Sequence, residues 1–314
     1  MRSFETMNRR GLLAGIGASA LVCAGVPGAR RAMAADAALS AEDMGDGLTL
    51  FTGAGCNVLT MPDRGGLMMV DGGSREHGAA LLDFVAERTG GAPVNTLFNT
   101  NWRNTGANDI LGARGATIVA HKNTAMWMGA EYGVDWENRR YAPRDPAARP
   151  NQTFYESGAT SADGARVDYA YMLQSHTDGD IYVFHRDADV MMAGGVAADP
   201  ALGYPVLDYC TGGWIGGMLD GLQDMMEAGG ADTLYVPAQG RVLTRADLQA
   251  QYDMLLTLKA RFIDLMKQGM GAEDMLAAGA TAEYDETWGD PELFVHTAWR
   301  GMLGHLRVLG GIIA

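Results

Sequence analysis

Apolar residues occur along the chain in short runs of strand length, separated by segments in which they recur every three or four positions. Two strands joined by a turn around residues 62–66 are predicted by LTLFTGAGCNVLTMP and GGLMMVDGG. A helix with Ser74 as its N-cap and Gly90-Gly91 at its end is predicted by SREHGAALLDFVAERTGG. Further strands are predicted by VNTLF, ATIVAH, VDYAYML, IYVFH, DVMMAGG and DTLYV. Strands and helices that alternate in this way favour an α/β (α+β) fold built in layers over an all-β sandwich.

The segment from Thr244 to the end of the chain has a helical pattern. Thr244 and Asp247 predict a capping box, in which each side chain accepts a hydrogen bond from the backbone of the other residue. A core-facing stripe with steps of three and four residues follows at Leu248, Tyr252, Leu255, Leu258, Phe262 and Leu265. Residues 136–153, which include several prolines, predict a long surface loop. We therefore predict a layered domain at residues 35–243 and a helical C-terminal extension at residues 244–314 that packs on it.

The N-terminal segment has the pattern of an export signal. Arg9 and Arg10 precede an apolar run at residues 11–26, and residues 32–34 read AMA, a pattern typical of a cleavage site. The paired arginines predict a signal peptide of the twin-arginine type at residues 1–34 and a periplasmic mature protein. The apolar run is shorter than the ~20 residues of a membrane span, so no stable span is expected after cleavage. An uncleaved anchor is the alternative.

The composition indicates a globular protein with an acidic surface. Of the 314 residues, 47% are hydrophobic and 20% are charged, and the formal net charge is −14 at pH 7. This charge argues against nonspecific binding of nucleic acid, which requires a basic surface. In an oxidising compartment Cys56 and Cys210 could form a disulfide, but two separate buried thiols explain them equally well.

Seven segments, in their order along the chain, resemble the metallo-β-lactamase superfamily. They are GAGCNVLTM, LMMVDGG, VNTLFNTNWRNTGAND, ATIVAHKNT, HTDGDIYVF, DVMMAGGV and LYVPAQG, and they all lie within residues 47–243. The resemblance implies a four-layer αββα sandwich, in which two β-sheets pack face to face between outer helices. The helical tail and the HTDGD segment are most similar to an exported bacterial subgroup. In the superfamily, loops at one edge of the sandwich hold one or two zinc ions, which convert a bound water into hydroxide.

The loop that supplies three zinc ligands in the superfamily is altered in this chain. The family pattern T-H-W-H-x-D-H-T-G corresponds by resemblance to TNWRNTG at residues 100–106. Asn101 replaces the first histidine and Arg103 the second, and a deletion of two residues leaves Asn104 beside the Thr-Gly pair. Amide side chains are poor zinc ligands, and a guanidinium cannot bind zinc because it stays protonated. The implied loop therefore lacks its three ligands.

Among the remaining ligand positions, the resemblance matches one. His176 in SHTDGD stands at the position of a later histidine ligand, whereas Gly195 stands at the bridging aspartate and Gln239 at the last histidine. Catalytic zinc generally takes three protein ligands, so we predict no metal cofactor. The alternative is a rebuilt zinc site that pairs His176 with Asp178 or Asp180, although a tight turn explains these two aspartates equally well.

The altered positions predict a pocket that binds a ligand without a metal. The guanidinium of Arg103 would replace the charge of the metal and form bidentate hydrogen bonds with a carboxylate, phosphate or sulfate. Further pocket residues are expected to be Asn101, Asn104, His176 and Gln239. Supporting residues are expected to be Asp71, Trp102 and Asp180. In the superfamily, the aspartate that corresponds to Asp71 supports the metal loop from behind.

These considerations predict an exported, non-hydrolytic pseudoenzyme with a degenerate zinc site. It would bind an anionic small molecule or assist a periplasmic protein partner. The alternative is a metal-dependent hydrolase with a rebuilt or single-metal site, so enzymatic activity is left open. A third interpretation is a purely structural role in binding a partner. The alternative to anion binding by Arg103 is a relic pocket in which its side chain points at solvent.

Overall fold

Two β-sheets that pack face to face form the centre of the protein, in a computed structural model that describes residues 38–308. The predicted signal peptide, residues 1–34, lies outside this range. Between residues 38 and 308, no helix is both long and apolar enough to cross a membrane.

The strands place several loops at one edge of the first sheet. In chain order they are β1 (Ser40–Gly45), β2 (Leu48–Thr52), β3 (Val58–Asp63), β4 (Gly66–Val70), β5 (Val94–Phe98), β6 (Thr117–His121), β7 (Tyr132–Val134), β8 (Arg139–Tyr141), β9 (Gln152–Phe154), β10 (Ser157–Ala162), β11 (Ala165–Tyr171), β12 (Ile181–His185), β13 (Val190–Gly194) and β14 (Leu234–Pro237). Within the described residues, the first sheet has the order β1-β2-β3-β4-β5-β6-β9 and the second the order β10-β11-β12-β13-β14. Strands β4, β5 and β6 are parallel neighbours. Their carboxyl ends therefore meet at the same edge, and the loops that leave them are brought together.

Helices cover the outer faces of both sheets. They are α1 (Gly78–Arg88), α2 (Asn108–Ala113), α3 (Lys122–Gly129), α4 (Ile215–Ala228), α5 (Arg245–Lys267), α6 (Ala272–Ala277), α7 (Asp285–Trp288) and α8 (Glu292–Val308). Short 3-10 turns lie at Asp135–Glu137, Pro146–Ala148, Pro200–Leu202 and Tyr209–Thr211.

The apolar core lies in three layers, which correspond to the interfaces of an αββα sandwich. Between the sheets, buried side chains come from both, for example Leu59, Val70, Phe98, Val183 and Met192. The outer face of the first sheet packs on α1 and α2 through residues that include Phe51, Leu97, Leu81, Val85 and Leu111. The outer face of the second sheet packs on α4, α5 and α8 through residues that include Met191, Tyr235, Leu222, Phe262 and Phe294. The predicted four-layer fold with C-terminal helices is confirmed.

The structure refines several predicted elements. The first predicted strand is divided by residues 53–57 into β2 and β3. Helix α1 begins one turn later than predicted: its N-cap is His77, not Ser74, and Ser74 Oγ lies 2.7 Å from His77 Nδ1. Residues 136–153, predicted as a loop, also contain β8 and the start of β9. These strands are only three residues long, which is too short to give a clear alternating pattern.

The structure contains the predicted capping box and has two separate cysteines. The capping box is present, because Thr244 and Asp247 exchange hydrogen bonds at the start of α5. Cys56 is buried and Cys210 is half-buried, and both are free thiols. Burial raises the pKa of each thiol. Of the two alternatives for the cysteines, the structure has the separate thiols.

Candidate functional site

Asp71 anchors the loop that follows β5. Its backbone is left-handed, with φ of 63°, a conformation that aspartate tolerates better than most residues. The buried carboxylate accepts hydrogen bonds from the Thr100 N–H at 2.8 Å, the Thr100 hydroxyl at 2.7 Å and Asn104 Nδ2 at 3.0 Å. Burial raises the pKa of Asp71 to about 7, although these three donors oppose the shift. The loop with Asn101 and Arg103 is thereby fixed to the end of β4.

Asp180 connects Asn101 with His176. Asn101 is buried, its Nδ2 donates to Asp180 Oδ1 at 3.4 Å, and its Oδ1 accepts from the Arg103 N–H at 2.9 Å. Asp180 also accepts a hydrogen bond from the N–H of Thr177. His176 Nδ1 lies 3.5 Å from Asp180 Oδ1, and this buried nitrogen has no hydrogen-bond partner among residues 38–308. Asp180 thus holds the Asn101 amide in place and lies close to the imidazole.

Gly195 leaves the space that the ring of His176 fills. A Cβ added to Gly195 would lie 2.4 Å from Nδ1 and 2.7 Å from Cγ of His176. Heavy atoms at these distances overlap, so any larger residue here requires the imidazole to move. Gly195 therefore permits the observed position of the His176 ring, which a larger side chain would exclude.

Arg103 lies between two carboxylates and two indole rings. Its Nη1 donates to Glu137 Oε1 at 2.6 Å, and its Nη2 donates to Asp208 Oδ2 at 2.8 Å. The guanidinium carbon lies 4.3 Å from the ring centre of Trp102 and 4.9 Å from that of Trp136. Burial disfavours the charged form, but the carboxylates of Asp208 and Glu137 outweigh it and raise the pKa of Arg103 above its ordinary value. Arg103 is therefore a permanently charged, paired group.

This pairing changes what Arg103 offers a ligand. The interpretation in which the side chain points at solvent is wrong, because only 18% of it is exposed. The prediction of a guanidinium available to an anion also needs revision, since one positive charge already faces two carboxylates. An incoming anion would have to compete with Glu137 and Asp208, and Asp208 is fully buried.

The predicted pocket residues line one cleft of about 280 Å³, which we call the central cleft. They are Asn101, Arg103, Asn104, His176 and Gln239. Gln239 Nε2 donates to the backbone oxygen of Gly55 at 2.9 Å, which fixes the amide at the wall. The structure thus brings together all the residues that the sequence predicts for the pocket.

The predicted supporting residue Trp102 lies behind Arg103, outside the central cleft. Its Nε1 donates to Thr211 Oγ1 at 3.2 Å, and its ring meets Tyr132 and Tyr141 edge-on at 5.0 Å and 4.8 Å. Trp102 therefore belongs to an aromatic cluster next to the cleft, where it supports the guanidinium from one side.

Two residues of the site could not be found by the sequence reasoning. Glu137 lies in the segment predicted as a surface loop, and Asp208 lies in a stretch without regular structure. Neither position has a counterpart among the zinc ligands that the resemblance implies. The signal that could have found them is the charge of Arg103, because a buried guanidinium requires carboxylate partners.

The central cleft does not suit zinc. Among residues 38–308, no group of three or more His, Cys, Asp or Glu side chains could hold a metal ion. Of the alternative ligands, Asp180 lies near His176, but Asp178 faces Tyr171 and Asn123, whose side chains donate to its Oδ1. The remaining neighbours are the amide of Asn101, which is a poor zinc ligand, and the guanidinium of Arg103, which cannot bind zinc because it stays protonated.

The comparisons with known proteins agree with the fold. Residues 52–198 match the Metallo-beta-lactamase superfamily. A metallo-beta-lactamase from Pontibacter korlensis is 16% identical with a TM-score of 0.57, and the match covers 70% of this chain and 99% of that one. The DIM-1 metallo-beta-lactamase is 18% identical with a TM-score of 0.56, over 70% of this chain and 98% of that one.

A larger protein matches more of this chain. The sec-alkylsulfatase Pisa1 from Pseudomonas sp. is 15% identical with a TM-score of 0.65, and the match covers 88% of this chain but 52% of that one. No curated protein shows significant sequence similarity to the chain. Identities this low establish the fold and leave the activity open. The matched segment, which is just under half of the chain, and the αββα architecture together show that this chain has the metallo-β-lactamase fold.

Proposed function

We propose that this protein is a non-hydrolytic member of the superfamily whose central cleft binds a polar small molecule through protein side chains, without a metal ion. The observation that carries the proposal is the paired guanidinium of Arg103, which stands at a position where the resemblance expects a histidine ligand. A guanidinium stays protonated and cannot bind a metal, so Arg103 cannot take the place of that histidine as a ligand. Without a metal, the cleft has no group that lowers the pKa of water to near neutrality, which is the step that hydrolysis by this fold requires.

The charges of the cleft favour a neutral or positively charged ligand. Its charged lining consists of one cation, Arg103, and two carboxylates, Glu137 and Asp199. Asp208 adds a third carboxylate behind Arg103. The sequence suggests an anionic ligand or a protein partner, and both stay predictions. Of the two, the anionic ligand can be tested directly with small-molecule probes. A ligand with hydrogen-bond donors can use Glu137, whose side chain is partly exposed.

Metal content tests the non-hydrolytic part of the proposal. Protein purified without a chelator and then dialysed against zinc is expected to contain well under one zinc per chain by elemental analysis. It should show no turnover of lactam, thioester or phosphoester probes above the buffer blank. Stoichiometric zinc together with turnover that a chelator abolishes would establish the metal-dependent hydrolase instead.

A thermal-shift panel tests the ligand class. Pairs of similar shape but different charge, such as a carboxylic acid, its amide and the corresponding amine, are compared at equal concentrations. A ligand of the folded state at 100 times its Kd adds about 2.7 kcal/mol to the free energy of unfolding, which is readily seen as a higher melting temperature. The amides or amines should shift the wild type, and Glu137→Gln should reduce the shift by the amines. A shift confined to the carboxylates and lost in Arg103→Lys would restore the anionic ligand.

We also propose that the protein is exported by the twin-arginine route, on the basis of Arg9, Arg10 and the apolar run that follows them. The conservative replacement Arg9→Lys with Arg10→Lys keeps the positive charge but removes the arginine pair. It should leave the precursor uncleaved in the cytoplasm, whereas the wild type appears in the periplasm at a lower mass. Equal export of both proteins would refute this route.

A further inference from the structure

A second cleft adjoins the central cleft at Arg103. Its volume is about 160 Å³, and it shares Ser74 and Arg103 with the central cleft. An apolar cavity of about 150 Å³ is large enough to hold a benzene molecule. The second cleft therefore has room for one aromatic ring, and we call it the aromatic cleft.

Aromatic side chains form much of its wall. Trp102, Trp127, Tyr132 and Tyr141 all line it. Trp127 and Tyr132 meet edge-on with ring centres 5.3 Å apart, and Tyr132 and Tyr141 are stacked at 5.5 Å. Such walls offer faces and edges to a planar ring, and aromatic pairs contribute about 0.5–1.5 kcal/mol beyond the apolar area that they bury.

The rim and floor of the aromatic cleft carry excess positive charge. Arg75 and Arg139 line it as exposed side chains, and neither has a carboxylate within 4.0 Å among residues 38–308. Arg144 is buried and forms an ion pair with Asp109 at 2.5 Å. The acidic residue of the lining is Glu76, whose pKa is lowered mainly by a hydrogen bond from its own backbone N–H and further by Ser74 and the charge of Arg139.

The cations also repel one another. Burial lowers the pKa of Arg144, Asp109 opposes this shift, and the charge of Arg75 adds to it. Arg103, at the boundary with the central cleft, is already balanced by Glu137 and Asp208. An anion in the aromatic cleft would relieve the repulsion between Arg75 and Arg144.

Two buried donors in the lining residues have no acceptor. Arg144 Nε and Trp127 Nε1 lack a hydrogen-bond partner within the described part of the chain. A buried donor left without an acceptor costs about 1–3 kcal/mol, so most such groups in folded proteins are paired. A ligand oxygen is the kind of acceptor that these donors need.

We propose that the aromatic cleft binds a small aromatic carboxylate, with its ring among Trp127, Tyr132 and Tyr141 and its carboxylate facing Arg75, Arg139 and Arg144. The ring matches the walls and the volume, and the carboxylate supplies both negative charge and acceptor oxygens. This inference goes beyond the proposed function, since it concerns a different cleft and does not depend on whether the central cleft binds a metal.

Calorimetry and ligand-observed NMR with four probes test the proposal: benzoate, cyclohexanecarboxylate, benzyl alcohol and acetate. Benzoate should bind at least tenfold more tightly than each of the others, because only benzoate combines the ring with the charge. If cyclohexanecarboxylate or benzyl alcohol binds as well as benzoate, or if benzoate does not bind, the proposal is refuted.

Variants on one strand locate the site. Arg139 and Arg140 are neighbours in β8, where successive side chains point to opposite faces, and only Arg139 lines the cleft. Arg139→Ala should weaken benzoate binding two- to fivefold, the range for an exposed charge pair, and Arg75→Ala with Arg139→Ala should weaken it further. Arg140→Ala is the matched control and should leave the Kd unchanged. Equal losses in Arg139→Ala and Arg140→Ala would show a general effect of surface charge and overturn the assignment.

Trp127→Leu tests the aromatic wall. It removes the indole but keeps an apolar side chain, and it should reduce the preference for benzoate over cyclohexanecarboxylate. An unchanged preference in a variant that melts like the wild type would contradict the proposed position of the ring.

Discussion

Replacement of Arg103 by alanine tests whether the guanidinium is a structural ion-pair centre. Asp208 is fully buried and accepts from Arg103 Nη2 at 2.8 Å, while Glu137 retains a partly exposed side chain. Removal of one partner of a buried pair costs about 3–5 kcal/mol, because the remaining charge is left without compensation. Asp208 keeps hydrogen bonds from Thr211 Oγ1 at 2.8 Å and Trp136 Nε1 at 3.4 Å. These bonds offset part of the loss, so we expect a decrease in the free energy of unfolding of about 3 kcal/mol.

The assay is urea denaturation at pH 7.5 followed by tryptophan fluorescence, with Arg140→Ala as the control. The pair of Arg140 with Glu131 is exposed on both sides, at 77% and 59%, so its loss should cost less than about 1 kcal/mol. The double variant Arg103→Ala with Asp208→Asn should be more stable than Arg103→Ala alone, because the buried charge is removed together with its partner. If Arg103→Ala is no more destabilising than Arg140→Ala, the buried ion pair does not exist as described. An additive double variant would contradict the electrostatic explanation.

Three further predictions concern other parts of the fold. Gly195→Ala should lower the free energy of unfolding by about 1–3 kcal/mol, measured by urea denaturation, because the new Cβ would overlap the ring of His176; an unchanged stability would show that the ring moves freely. The folded-state pKa of Asp71 is raised from 3.8 to about 7, so its contribution to stability is present at low pH and is lost as the pH rises towards 7. The stability advantage of the wild type over Asp71→Asn should therefore shrink by about 2–3 kcal/mol between pH 5 and pH 8, at 1.36 kcal/mol for each pH unit below the folded pKa; a constant difference would contradict this. Thr244→Ala removes one half of the capping box, so the free energy of unfolding should fall by about 1 kcal/mol and the melting temperature should fall with it. Thr244→Ser keeps the hydroxyl and should leave the melting temperature unchanged.

The sequence predicted the layers of the fold because each layer has a local pattern. The apolar residues of strand β12 and of helix α5 have the spacing of a strand and of a helix within a few residues. The parallel strands β4, β5 and β6 appear as short apolar runs. The start of α1 was misplaced because Ser74 satisfies the usual N-cap preference, yet its side chain contacts His77 instead of a helix N–H. Local chemistry alone does not distinguish these two arrangements.

The residues that the sequence groups into one pocket do line one cleft, but the carboxylates that neutralise Arg103 were not predicted. Asn101, Arg103 and His176 were placed together because the resemblance assigns them to one metal site. Glu137 and Asp208 contact Arg103 across separations of 34 and 105 residues. No local pattern encodes contacts between residues so far apart, so the neutralisation of Arg103 became visible only in the structure.

The helices from residue 244 onwards share one continuous apolar interior with the second sheet. Leu258, Phe262 and Phe294 belong to the same buried cluster as Met191 and Tyr235 of β13 and β14. A chain that stopped at residue 243 would expose this face of the sheet to water, at about 1.5–3 kcal/mol for each large side chain uncovered. The C-terminal helices therefore form part of the hydrophobic core of the domain. Their removal should yield an insoluble or unfolded protein.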